Sequence, residues 1–188
     1  NLYSIGGGNT VVTVENADGQ VGLELQAVNN TIDGWLVKYS PAGAAVWGNL
    51  IGSVGQDEAK SVSFRNGVIS VAGFIGNTAY LPNNTNRRDT LINSGGQDIF
   101  LVNYSTEGQY LGSTRLGGSL DDEASSVAIT PDGNSVIGTS FKSSTLSVPG
   151  IATFTKGGGQ DMFLGKHINI HFLPEETPIS CSNGNNGK

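Results

Sequence analysis

The sequence is poor in charge, in sulfur and in long apolar runs. Only 14% of its 188 residues are charged, against roughly 25% in ordinary soluble domains. A single cysteine cannot staple the fold internally. No apolar stretch approaches the ~18 residues that a membrane-spanning helix needs. Basic residues are scarce, 10 Lys and Arg against 16 Asp and Glu, and Arg87-Arg88 is the one adjacent pair. That excludes the clustered positive charge with which proteins hold nucleic acid and disfavours an anionic membrane surface. The 28 glycines follow no period of three, so the chain is not collagen. A net charge of only −6 and recurring clusters of Val, Ile, Leu and Phe exclude intrinsic disorder. No window of eleven or more residues carries a helical period.

What the sequence has is a repeat. Asp33-Gly34-Trp35-Leu36-Val37-Lys38-Tyr39-Ser40 returns as Asp98-Ile99-Phe100-Leu101-Val102-Asn103-Tyr104-Ser105, an offset of 65. It returns again, 63 residues on, as Asp161-Met162-Phe163-Leu164-Gly165-Lys166. The offset of 65 also carries Gly43 onto Gly108, Ile51-Gly52 onto Leu116-Gly117, and Asp57-Glu58-Ala59 onto Asp122-Glu123-Ala124. It likewise carries Ser61-Val62 onto Ser126-Val127, and Val71 and Gly73 onto Val136 and Gly138.

Each unit reads as four short strands. In the middle unit these are 59–64, 68–74, 99–104 and 110–116, with a turn at Gly67, a hairpin turn at Thr106-Glu107-Gly108, and a long polar loop from Gly76 to Gly96. In the third unit Thr130-Pro131-Asp132-Gly133-Asn134 makes the first hairpin. Short strands at even spacing with turn signals between them predict an all-β fold. Four strands per unit of this length predict about three four-stranded antiparallel β-propeller-like blades. Residues 1–50 form a first partial blade or a separate cap, in which a hairpin of 11–14 and 21–27 supplies two strands. Residues 51–115 form the second blade and 116–172 the third, with one more strand at 169–172. Residues 173–188 read as a flexible polar tail.

The strands carry a family resemblance. Gly95-Gly96-Gln97-Asp98-Ile99-Phe100 and Gly158-Gly159-Gln160-Asp161-Met162-Phe163 share one pattern, and Gly117-Gly118-Ser119-Leu120-Asp121-Asp122-Glu123-Ala124 supplies a second. Over residues 33–168 the unit resembles the seven-bladed β-propeller repeat of secreted bacterial surface proteins, the SBBP repeat. The resemblance implies an extracellular, bacterial cell-surface setting and adhesin-like company. Family propellers close a ring of many blades. About three blades imply a partial propeller, one completed by copies of itself or by a larger parent protein. The opening at Asn1, with neither methionine nor signal peptide, points to a processed secreted protein or an excised fragment.

Candidate chemistry divides into repeated and unrepeated residues. Asp57 and Asp122 recur, as do Asp33, Asp98 and Asp161. Recurrence favours a structural role in turns, where carboxylates accept backbone N–H bonds. The competing reading is a Ca²⁺ site at Asp121, Asp122 and Glu123, since that ion wants several converging oxygens; otherwise no cofactor is expected. Trp35, Phe100 and Phe163 occupy one repeated position and read as core. His167 and His171 have the i, i+4 spacing of a helical metal site, but their alternating apolar neighbours indicate a strand. Cys181 lies in the polar tail without an oriented base. Gly6-Gly7-Gly8 and Gly157-Gly158-Gly159 lack the lysine signature of phosphate loops. Asn29, Asn83 and Asn103 open N-glycosylation patterns.

Binding is expected where the units differ, on loops of a rigid scaffold. Trp47 is unmatched, since Gly112 takes its place in the next unit. With Asn77, Tyr80, Asn83, Asn84, Asn86 and Arg88 it is the candidate ligand surface. The expected function is a non-catalytic scaffold, adhesion or ligand-binding module, taking a glycan or a partner chain. Two alternatives stand beside it: a structural subunit of a surface filament or sheath, and a glycan-active hydrolase or lyase. The last needs two carboxylates about 5–10 Å apart in a cleft, and no unrepeated Asp/Glu pair stands out.

Overall fold

The computed structural model describes residues 2–82 and 88–167. Sixteen strands and one short 3-10 turn, Val28–Asn30, make an all-β fold with no α-helix among the described residues. The strands are β1 (Leu2–Asn9), β2 (Val11–Glu15), β3 (Val21–Gln26), β4 (Ile32–Tyr39), β5 (Ala45–Ile51), β6 (Asp57–Arg65), β7 (Val68–Ile75) and β8 (Ala79–Pro82). There follow β9 (Arg88–Leu91), β10 (Asp98–Ser105), β11 (Tyr110–Leu116), β12 (Asp122–Ile129), β13 (Ser135–Phe141), β14 (Thr145–Val148), β15 (Ala152–Thr155) and β16 (Asp161–His167).

These strands build three main antiparallel sheets. The first has order β1-β4-β5, the second β11-β10-β7-β6 and the third β12-β13-β16. Three two-stranded hairpins, β2-β3, β8-β9 and β14-β15, stand apart from them. The third sheet has three described strands where the second has four, and the proposed strand at 169–172 lies outside the described residues, as does the tail. The first sheet differs from expectation. Its strand beside β4 is β1, and the hairpin of 11–14 and 21–27 is a sheet of its own. The glycine run of Gly6-Gly7-Gly8 conceals β1, yet it has a packing reason. Gly6 faces Trp35 across the ladder, and a Cβ there would come within 2.7 Å of the indole.

The equivalent pair in the second sheet is Gly73 opposite Phe100. In the third sheet Thr139 faces Phe163. The simple offset of 65 places Gly73 on Gly138, so register and sequence disagree by one residue here. Four residues separate the paired Phe64 and Ile69 of β6 and β7, whereas five separate the equivalent Ile129 and its partner Ser135, and β13 slips accordingly.

The three sheets stack face to face. Each has a front, carrying Trp35, Phe100 or Phe163, and a back one residue out of phase. The back of the first sheet (Leu36, Ile51) packs on the front of the second (Phe100, Val102, Tyr104, Val71) in one continuous core. The back of the second (Ile99, Leu101, Ala72) packs on the front of the third (Val127, Ile137, Phe163) in another. The leading strands lie closest, with β12 against β6 and β7 and with β6 against β1 and β4. Towards the trailing strands the sheets diverge, and a hairpin fills each gap. Ala79, Leu81 and Leu91 of β8-β9 join the first core, and Leu146 and Val148 of β14-β15 join the second. The expected loop between Gly76 and Gly96 therefore contains a hairpin with a buried apolar side.

A Cβ on Gly73 would lie 1.9 Å from the Glu58 carbonyl oxygen, at the irregularity between Ala59 and Ser61. Backbone cannot retreat as a side chain can. Gly73→Ala is expected to lower stability in urea by about 1–3 kcal/mol, the usual cost of overpacking. Gly159→Ala, with nothing within 4 Å, stays within about 0.5 kcal/mol of the parent.

Candidate functional site

The recurring aspartates sit at one end of the sheets, each at or next to the first residue of a strand. Asp33, Asp57, Asp98 and Asp122 are fully buried. Each accepts a backbone N–H from the segment just upstream: Val28 to Asp33 at 2.5 Å, Ser53 to Asp57 at 2.5 Å, Ser94 to Asp98 at 2.5 Å, and Gly118 to Asp122 at 2.8 Å. Asp161 repeats the contact with Gly157 at 2.6 Å. The leading-strand pair does more. Asp57 also accepts from the Ser53 hydroxyl and the Gly76 N–H, each at 2.9 Å. Asp122 accepts from Lys142 N–H at 3.0 Å, Ser143 N–H at 3.1 Å and the Ser143 hydroxyl at 2.7 Å. Each of these two carboxylates thus ties the entry of its unit to the exit of the second strand.

The carboxylates approach backbone so closely that glycine is required. A Cβ on Gly52 would lie 2.4 Å from the Asp33 carboxyl carbon, and one on Gly117 would lie 1.9 Å from Asp98 Oδ1. This accounts for the repeated Ile51-Gly52 and Leu116-Gly117 steps. Burial raises Asp57 to about 7 despite its hydrogen bonds, and the Asp33 charge adds to the rise. Burial likewise raises Asp98 to about 6; Arg115, whose Nη1 lies 3.7 Å from Asp98 Oδ2, pulls the other way, and Asp122 adds to the rise. Asp33 is raised by burial as well.

These carboxylates do not converge on a cation. Asp121 binds outward, to Gln97 N–H and Lys142. Glu123 faces Ser140 on the side of β12 opposite to Asp122. Among the described residues no group of three or more His, Cys, Asp or Glu is placed to hold a metal ion. His167 is pushed down by burial; His171 and Cys181 lie outside the described residues.

Phe100 is fully buried, and Trp35 and Phe163 are half-buried at equivalent places. Trp47 is placed between the first two sheets rather than on a loop. Its indole N–H donates to the Thr106 carbonyl at 3.1 Å, beside Lys38 Nζ to the same oxygen at 2.5 Å and Asn49 Nδ2 to the Gly108 carbonyl at 2.9 Å. A Cβ on Gly108 would lie 2.9 Å from its ring. Asn103, a glycosylation candidate by pattern, is buried and accepts from the Ser70 hydroxyl at 2.6 Å.

Of the loop candidates, Tyr80 and Arg88 lie on β8 and β9, and Asn77 lies just before β8. Asn77 is exposed and its side chain accepts from Thr78 N–H at 2.7 Å. Tyr80 is exposed and stands opposite Thr90. Arg88 pairs with Pro82 through the backbone. Asn83, Asn84 and Asn86 lie outside the described residues. Between this hairpin and β11 runs a groove of about 360 Å³, with Asp89, Thr90, Ser113 and Arg115 on its polar walls and Ile92 and Pro149 on its apolar ones. Tyr110 closes one side, donating its hydroxyl proton to Asp89 and sharing a hydrogen bond with Ser113 at 2.8 Å. Sequence reasoning missed Asp89, Ser113 and Arg115. The available signal was their departure from the repeat, since Ser113 and Arg115 stand where the first unit has Gly48 and Leu50. A second, apolar cavity of about 310 Å³ lies between the second and third sheets, lined by Leu101, Leu116, Ile137, Val148, Phe154 and Phe163.

No protein-family model matches the chain, and no curated protein matches it in sequence.

The raised aspartates set a pH dependence. Their folded pKa values exceed the unfolded value of about 3.9, so the folded state holds protons that the unfolded chain has released. That stabilisation is complete below the unfolded value and is lost as pH rises through 6 to 7. His167 acts in the opposite sense, one imidazole against three carboxylates. The thermal midpoint is expected to rise as pH is lowered from about 7.5 to about 5, and Asp57→Asn to flatten that rise. A midpoint that falls over this interval contradicts the assignment.

Proposed function

We propose that the chain is a non-catalytic extracellular module of a bacterial surface protein, a scaffold whose stacked sheets are blades of a β-propeller of the SBBP type. One observation carries this reading: the repeated polar residues are consumed by the fold, while the accessible polar groove is built from unrepeated ones. Asp33, Asp57, Asp98 and Asp122 are buried against backbone N–H groups, which removes them as general acids or nucleophiles. The propeller reading is supported by the wedge geometry. Sheets that touch at their leading strands and splay at their trailing ones bend a stack into an arc, and the hairpins fill the outer gaps.

The ligand proposed for the groove is a glycan. Asp89, Thr90, Ser113 and Arg115 supply acceptors and donors beside the apolar Ile92 and Pro149, and Tyr80 stands exposed next to Thr90. Hydroxyl-rich rings with one apolar face suit a few fixed polar groups beside an apolar wall. On a glycan array the protein is expected to select particular saccharides. Tyr80→Ala and Asp89→Ala are each expected to weaken that binding about tenfold, equivalent to about 1.4 kcal/mol. Absence of binding to any glycan by the parent chain, or hydrolysis of a bound one, overturns the reading.

A further inference from the structure

The outermost sheet face of the third unit is built like an internal one. On β16, Met162 is 87% exposed and Leu164 is 76% exposed. Their equivalents in the second unit, Ile99 and Leu101, are fully buried on the back of that sheet, against the front of the third. In the first unit, Leu36 on the back is fully buried against the second sheet. The molecule therefore makes the same back-to-front junction twice, and the third back face carries the side chains of that junction with no described residue covering Met162 or Leu164. The polar positions follow too. Ser61 and Ser63 on the back of the second sheet accept the N–H groups of Val127 and Ile129, at 2.9 and 3.0 Å. Ser126 is the offset-65 counterpart of Ser61 and stands exposed on the same kind of face.

At the other end lies the matching half. The front of the first sheet presents Trp35, half-buried where Phe100 and Phe163 stand in the other units. Leu2, opposite Tyr39 further along this sheet, is exposed, and so are Val11 and Val21 of the β2-β3 hairpin. This front lacks a counterpart of β6 among the described strands, so contact falls to β1, β4 and the β2-β3 hairpin.

We propose that the back of the third sheet docks on the front of the first sheet of a second copy of this chain, in head-to-tail association. The proposal rests on reading the sheets as successive blades, and its partner is self, not saccharide. A head-to-tail contact is heterologous, so it closes into a ring or extends into a filament according to the rotation per copy. With no leading strand among the described residues on one side, the contact is smaller than an internal junction, and the association is reversible.

The single methionine provides the probe. Met162 is the only methionine in the chain, so peroxide oxidation read by peptide mapping, with the single cysteine, Cys181, alkylated beforehand, reports on this face alone. In sedimentation velocity the parent chain is expected to grow beyond one copy as its concentration rises from micromolar towards millimolar, and Met162 oxidation to slow several-fold over the same range. Leu164→Asp, at an exposed position, abolishes both effects while leaving the thermal midpoint unchanged. Leu2→Asp, on the opposite end, also abolishes both. An equimolar mixture of the two variants restores a dimer, because each retains one intact face, and protects Met162 of the Leu2→Asp chain only. A monomer at every concentration with unchanging Met162 oxidation overturns the proposal and leaves glycan binding untouched. Association that survives Leu2→Asp means back-to-back pairing and overturns it equally.

Discussion

A buried carboxylate at the mouth of a strand is the interaction on which the rest of this structure depends. Asp57 and Asp122 each gather backbone N–H groups from two different segments, the loop that enters the unit and the residues that leave its second strand. Such groups, buried, would each cost a lost hydrogen bond if left unpaired. One short side chain therefore fixes where β6 or β12 begins and where β7 or β13 ends. Strand pairing has a period of two, so a one-residue slip would turn every apolar side chain to the wrong face. Fixing the strand start fixes the faces, and the faces decide what can stack. The same burial that makes the clasp rigid raises the Asp57 carboxyl to about 7, so stability and acidity are two readings of that contact.

From aligned faces the stack follows. A sheet with an apolar face must bury it against another element, and here the element is the next sheet. The leading strands meet directly, and the trailing strands stand too far apart to do so. The hairpins β8-β9 and β14-β15 supply the missing volume with Leu81, Leu91, Leu146 and Val148. Each hairpin thereby does two things at once. Its inner side is bound by the core, while its outer side is free to differ, and the groove beside β11 uses that freedom.

Much of this was legible because it repeats. The offset of 65 located Asp33, Asp98, Asp57, Asp122 and the aromatic positions, and the strands of the second unit fall within a residue or two of expectation. What was hidden has physical reasons. Three of the eight residues of β1 are glycine, and its logic lies in the Trp35 ring across the ladder, a contact that no local pattern encodes. The hairpin at 79–91 has few apolar residues, and those are buried by partners distant in sequence. The slip at β13 arises from one added turn residue, invisible where Val71 and Val136 still match. Trp47 read as a free aromatic because it has no counterpart, yet an unmatched residue can serve one junction as readily as a ligand.

That last point makes the two junctions unequal. Between the first and second sheets, Lys38, Trp47 and Asn49 all bind the Thr106–Gly108 turn. At the second junction the corresponding positions are Asn103, Gly112 and Thr114, and no such grip on a turn is available to a glycine. Gly165 and His167 stand where the second unit has Val102 and Tyr104, and an apolar cavity of about 310 Å³ opens there. Hydroxyl contacts, Ser70 with Ser135 at 2.9 Å and the two from Ser61 and Ser63, hold this junction instead, at its leading strands. Voids forfeit packing contacts, and a sheet held at one edge opens from the other. The third sheet is therefore the more loosely attached of the outer two, and it is also the one on whose back Met162 and Leu164 are exposed. A unit that can adjust its tilt at one junction can adapt to whatever it meets at the next, which is what a first-sheet front with no described leading strand would require.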